Sequence, residues 1–112
     1  MAIPTGAGTE VLKRVTRHAN SGWNAVGLTG ATNHIYTILS IIFCDQNGAA
    51  GTIQIKVNDG SQDLHLLASH SHVAYETFVW NDKFVIEEDD VLSVYSSGNN
   101  TDWYVSYIDQ HF

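Results

Sequence analysis

A chain of 112 residues has room for one domain, and at 44% apolar with plentiful Ile, Val, Tyr, Phe and Trp it can bury a core, which excludes disorder. Twelve acidic against five basic residues give a net charge of −7, a field that repels phosphate backbones and argues against nucleic-acid binding. The single cysteine, Cys44, rules out an internal disulfide and any C-x-x-C metal motif.

The first residues, Met1-Ala2-Ile3-Pro4-Thr5-Gly6, lack a basic n-region and an apolar h-region, so no leader is expected. Residues 1–9 read as an extended arm that frays or docks onto a neighbour, and residues 10–112 as the folded domain. Glu10–His18 alternates as a first strand, with a two-turn helix competing because Glu10, Leu12, Lys13 and Arg14 are good helix formers. Asn20–Asn33, rich in Gly, Ser, Asn and Thr, reads as a loop containing one short strand. Ile35–Phe43 is β-branched and nearly all apolar, the expected central strand, buried on both faces. At about ten residues this run, with Cys44 at its end as a small buried apolar group, is well short of a membrane-spanning helix.

Asp45-Gln46-Asn47-Gly48 then carries Asn-Gly, the strongest short hairpin signal. Thr52–Asn58 alternates cleanly, Ile53, Ile55 and Val57 on one face and Gln54 and Lys56 on the other, as in a half-buried strand. Asn58-Asp59-Gly60 turns the chain again. Leu64–Ala68 is a short strand, followed by the His-rich loop Ser69–Val73. Glu76–Trp80 and Lys83–Ile86 are strand pieces joined by Asn81-Asp82. An acidic turn, Glu87–Asp90, leads to the strand Val91–Tyr95, the polar loop Ser96–Thr101 and a last strand, Trp103–Ile108. Seven to eight short strands about ten residues apart predict an all-β fold: a single antiparallel β-sandwich, jelly-roll-like, behind an N-terminal arm.

The segment Glu76–Ile86 with its Asn81-Asp82-Lys83 corner, the acidic turn, Asp90–Ser97 and Trp103–Asp109 resembles the β-sandwich domains of small virion proteins of tailed bacteriophages, marine and cyanobacterial phages especially. Tyr36–Cys44 and the opening Ile3–Lys13 fit the same pattern. The resemblance covers most of the chain, but its motifs are structural. It implies a capsid decoration (cement) protein that binds the major capsid protein lattice as a homo-oligomer, a trimer being the expected state. The alternative it leaves is a tail-fibre or baseplate component, or a receptor- or carbohydrate-binding module. Such a protein is synthesised in the host cytoplasm and resides in the virion, and the family brings no catalytic residues and no cofactor.

His70 and His72, two apart, would point the same way on a strand and could hold a metal on a symmetry axis, but no third ligand has recognisable spacing. Glu87-Glu88-Asp89-Asp90 offers carboxylates to a hard cation, yet lacks the D-x-D-x-D-G spacing and reads better as a solvated hairpin tip. No G-x-S-x-G, H-E-x-x-H or Gly-rich phosphate loop is present, and Asp109 with His111 sits where a chain end holds geometry poorly, so no enzyme is expected. The remaining candidates are interface residues. Trp103, Val105 and Tyr107 share one face of the last strand and should be core. Tyr104, Ser106 and Ile108 share the other, too apolar for open water. Tyr104, Ile108 and Trp80, with Ile3, Pro4 and Thr5 of the arm, are the expected contacts with partner subunits, and no membrane partner is expected.

Overall fold

A computed structural model describes residues 9–112; most of the arm, with Ile3, Pro4 and Thr5, lies outside the described residues. These form nine strands: β1 (Thr9–Ala19), β2 (Gly22–Thr29), β3 (His34–Asp45), β4 (Gly51–Asn58), β5 (Asp63–His72), β6 (Thr77–Trp80), β7 (Phe84–Ile86), β8 (Val91–Ser96) and β9 (Thr101–His111). No helix occurs among the described residues, so the helical alternative for the first element is settled in favour of a strand.

β6 and β7 lie end to end along β3 and act as one interrupted strand. Counted so, the first strand pairs with the last, the second with the next to last, and inward to the β4–β5 hairpin, always antiparallel. This long ribbon then rolls up. β9 takes β3 as its second neighbour and β8 takes β4, giving one sheet in the order β1-β9-β3-β6, with β7 also on β3, and another in the order β2-β8-β4-β5. Two such sheets face to face make a jelly roll.

The alternation of each strand decides what the layers share. Ile53, Ile55 and Val57 of β4 and Leu92 and Val94 of β8 meet Ile38, Ile41, Phe43, Trp103 and Val105 of the facing sheet in one buried core. Truncating one of the fully buried isoleucines to Ala would cost about 2–5 kcal/mol. β3 keeps its inward set only by an irregularity. Ile38 pairs with Tyr107 and Ile41 with Val105, so β3 takes one residue more than β9 near Leu39, and its inward positions change from even to odd. Its outward residues are half-buried rather than buried, so β3 is central but covered on one face only.

The Asn58-Asp59-Gly60 turn closes the β4–β5 hairpin as expected. The Asp59 carboxylate accepts from the Ser61 and Gln62 amides, and Gly60 takes a φ of 94°. Asn47-Gly48 does not close a hairpin, because β3 and β4 belong to different sheets. The buried Asp45 carboxylate accepts from the backbone N–H of Asn47 and of Tyr75, each at 2.9 Å, and the Gln46 amide donates to the Asn100 carbonyl at 3.1 Å. Those bonds tie the segment to other loops and send the chain across the sandwich. The His-rich segment, expected as a loop, is the end of β5, and β2 is a full eight-residue strand.

The acidic turn packs against the segment before β3. The Gly30 amide donates to the Asp90 carbonyl at 2.8 Å, and a Cβ on Gly30 would overlap the Glu87 carbonyl. Gly30→Ala is therefore expected to cost about 1–3 kcal/mol, as overpacking does. Urea unfolding checks it, and an unchanged midpoint would show that the contact yields freely.

Candidate interaction faces

The outer face of the β1-β9-β3-β6 sheet is built by alternation opposite the core. Its cross-strand rows run Leu12, Ile108, Thr37, Val85 and Thr16, Tyr104, Ile42, Val79, with Leu39 between them. Leu12 is 71% exposed, Val85 46%, Val79 45% and Tyr104 41%, so the face stands open. Two shallow grooves flank Tyr104. One, of about 560 Å³, is lined by Thr16, His18, Ile42, Cys44 and Asp102; the other, of about 480 Å³, by Leu12, Arg14, Leu39 and Ser106. Cys44 is thus half-buried on this outer face rather than in the core.

Charge on the face is confined to its β1–β9 side. The Arg14 guanidinium lies 6.0 Å from the Tyr104 ring centroid, and His18 Nδ1 is 2.6 Å from the Asp102 carboxylate, which also accepts from the Gln46 side chain. Tyr104 and Ile108 stand on this face, as expected from the last strand. Trp80 does not: it packs against the core with its Nε1–H donating to the Asp82 carbonyl at 2.8 Å, and Val79 takes the outward place. Leu12, Ile42, Val79 and Val85 were not identified from the sequence. Alternation alone could have found Val79 and Val85, once Phe78, Trp80, Phe84 and Ile86 were set inward.

The other sheet also carries aromatics outward. Trp23 pairs across strands with Tyr95 (centroids 5.4 Å apart), meets the His65 ring at 5.8 Å, and has Lys56 Nζ 4.1 Å from its centroid. Asp63 accepts from Lys56 and Asn58 beside it.

Between the sheets, at the end where β1, β3 and β9 extend together, Asp109 is buried and accepts from Lys13 Nζ and His34 Nδ1, each at 2.7 Å. Burial pushes its carboxyl up, but the two hydrogen bonds and the charges behind them outweigh that and hold it below the usual carboxylate range. The same contact raises the Lys13 ammonium. His111 stacks on His34 with centroids 4.5 Å apart and does not pair with Asp109. The cluster is a clamp around one buried carboxylate, joining three strands.

His70 and His72 both face inward, but each meets a different aromatic ring: His70 lies 4.5 Å from Phe78 and His72 5.0 Å from Phe43. His72 Nδ1 is 2.9 Å from the Val73 carbonyl, an arrangement that requires a proton on that nitrogen. Among the described residues no three His, Cys, Asp or Glu side chains converge as metal ligands. In the acidic turn Asp90 accepts from the Glu87 amide at 2.9 Å and Glu88 from the Thr32 hydroxyl at 2.7 Å, so two of the four carboxylates brace the turn.

No protein-family model and no curated protein matches the chain. Among solved structures it is similar to a subunit of Bacillus endospore appendages, described as disulfide-linked pili, at 13% identity and a TM-score of 0.53, covering 100% of this chain and 96% of that one. That likeness is one of fold. A protein of infectious bursal disease virus, Gx strain, matches at 8% identity and a TM-score of 0.45, covering 94% of this chain and 36% of that one.

A carboxyl held low stabilises the folded state above its unfolded pKa, and that stability is lost as pH falls through the folded value. Asp109→Asn should cost about 2 kcal/mol at neutral pH, the scale of hydrogen bonds to a charged group, and make the acid loss of stability shallower. Asp45 should keep part of the slope. Burial pushes it up, yet amides of the 47–49 turn and of Tyr75, and the nearby His72, bring it below its usual value. Melting followed from pH 7 to pH 2 tests this, and an acid profile identical to wild type would remove Asp109 from the account.

Proposed function

We propose that this chain is a structural protein of a virus particle, a capsid decoration protein of a tailed bacteriophage. It self-associates and binds the major capsid protein lattice through the outer face of its β1-β9-β3-β6 sheet. The observation that carries this reading is the open face that presents Leu12, Tyr104, Val79 and Val85 in two adjacent rows. At strand spacings of about 4.8 Å and a rise of about 3.3 Å per residue, four strands in width and eleven residues in length give a face of roughly 700 Å². That is near the roughly 800 Å² per partner of a standard stable interface. Large exposed apolar residues rimmed by polar ones mark a surface that contacts another molecule, as a lattice-binding protein requires. Binding only the assembled shell would raise shell stability by linkage.

The role is binding rather than catalysis. Asp109, Asp45 and His72, the buried titratable groups among the described residues, are engaged in holding strands and turns together, Asp109 with the half-buried His34. The resemblance of Glu76–Asp109 to tailed-phage virion proteins supports the same reading, with the capsid surface as the expected location and a trimer as the expected state.

A second reading rests on a separate observation. Trp23, with Tyr95, His65 and Lys56 around it, gives the other sheet an aromatic platform rimmed by polar groups, the surface a glycan-binding tail module would use. Trp23→Ala should then abolish retention on a glycan array, and a chain that binds no glycan before substitution removes that reading.

For the first reading, Leu12→Lys with Val79→Lys should leave folding within about 0.5 kcal/mol, since both positions are exposed. The same pair should strip the protein from shells purified without it and then reloaded. Occupancy equal to wild type in a co-sedimentation assay would sink the assignment of this face.

A further inference from the structure

Among the described residues the jelly roll leaves four edge strands, two per sheet, and three of them are interrupted. β2 shifts register against β8 between Ala25 and Thr29, with Gly27 at a φ of 80°. β5 shifts twice against β4 and carries Ser69 at a φ of 50°. The β6–β7 edge is cut at residues 81–83 into pieces of four and three residues. Bulges, breaks and short strands are the devices that keep edges from pairing. β1 has none of them: its eleven residues pair with β9 in unbroken register from Thr9–His111 to Ala19–Thr101. Among the described residues no strand pairs with its other side.

Charge gives that edge a direction. β1 holds Lys13, Arg14 and Arg17, three of the chain's five basic residues, against one carboxylate, Glu10, and Lys13 is already paired with Asp109; Glu76, Asp82, Glu87, Glu88, Asp89 and Asp90 place six of the 12 carboxylates along or just beyond the opposite edge of the same sheet, against one cation there, Lys83. One sheet therefore ends in a basic edge and an acidic edge. Successive neighbours across it are antiparallel, so β1 and β6 run in opposite directions. A second copy set alongside in the same orientation brings its β1 to the first copy's β6 as an antiparallel pair. Pairing two β1 strands by a two-fold axis would also be antiparallel, but would oppose cations to cations across the ladder.

We propose that copies of this chain associate head to tail, the basic β1 edge of one against the acidic β6–β7 edge of the next. The four-residue β6 supplies the backbone ladder, and the carboxylates flanking β6 and β7 face the cations of β1. The contact is heterologous, so it closes into a ring or continues as a row according to the rotation between copies. In either case the outer apolar faces of neighbours join into one wider surface. The proposal rests on the self-association in the reading above and specifies its geometry.

The test uses the full chain and two charge-reversed variants, Arg14→Glu with Arg17→Glu and Asp82→Lys with Glu88→Lys, each checked for native melting. These positions leave the Lys13–Asp109 clamp intact. Wild type should associate in sedimentation velocity, less so as salt screens the ion pairs. Each variant alone should associate at least about tenfold more weakly, since like charges then meet. An equimolar mixture of the two should recover association, because an acid-edged copy now meets a base-edged one. Wild type that stays monomeric, variants that associate as wild type does, or a mixture that fails to recover each overturns the edge pairing. Shell co-sedimentation of the same proteins separates the two ideas: a monomer that still loads onto shells overturns the edge contact alone, and an intact edge contact with no shell loading overturns the decoration role alone.

Discussion

The ladder between β3 and β9 is the contact on which the rest of the sandwich depends. It joins residues 34–45 to residues 101–111, turns the flat ribbon into a roll, and puts Ile38, Ile41 and Phe43 beside Tyr107, Val105 and Trp103. Without it β1 would have no sheet to extend and β6–β7 no second layer to face. The ladder is not uniform. Between Ile38 and Ile41, β3 advances three residues while β9 advances two, from Tyr107 to Val105, and the edge segment advances four, from Phe84 to Trp80. Each strand from β9 toward the β6–β7 edge is longer by one residue at the same level, while β1 on the other side keeps step with β9. The break between β6 and β7 falls at this irregularity, the kind of extra residue that bends a strand.

The reach of each determinant along the chain explains why some of the fold was legible in the residues and some was not. Clean period-two segments with local turns, such as Thr52–Asn58 and its Asn58-Asp59-Gly60 exit, carry their own instructions. The last strand did as well, since Trp103, Val105 and Tyr107 separate from Tyr104 and Ile108 by parity alone. Asn47-Gly48 misleads because turn chemistry is local, whereas the sheet joined by the exit strand is decided by Asp45 reaching Tyr75, 30 residues away. The end of β5 reads as a loop because its histidines are polar by composition, yet each ring is covered by an aromatic from the other sheet. Trp80 looks like an interface residue because it is large and aromatic. Only the inward parity shared with Phe78 and Phe84 places it against the core.

The candidate site was half visible for the same reason. Tyr104 and Ile108 follow from one strand, but a face is a property of four strands in register, and Leu12 and Val79 join it only through pairings 96 and 62 residues long: Leu12 with Ile108, Val79 through Ile42 with Tyr104. The Asp109 clamp was invisible, since Lys13 and His34 lie 96 and 75 residues from it. Asp109 and His111 are close in sequence and on the same strand, yet the carboxylate takes its partners from β1 and β3. A buried carboxylate needs hydrogen-bond donors, and in a sheet the available donors stand on neighbouring strands.

Charge placement and apolar exposure answer the same demand. A chain with an open apolar face risks indiscriminate stacking, and a net charge of −7 opposes close approach of copies in arbitrary orientations. Spreading that charge evenly would also oppose the contacts an assembling protein needs. Here half of the carboxylates lie at the β6–β7 edge and the turn beyond it, three of the five cations lie on β1, and the middle of the outer face is left neutral. Approach through most orientations then brings carboxylates together, while edge-to-edge approach in one sense brings unlike charges together. The clamp around Asp109 works toward the same end. By fixing β1 to β3 and β9 it holds the basic edge on the sheet, so that in the proposed head-to-tail contact the next copy would meet a formed strand and not one that must first be ordered.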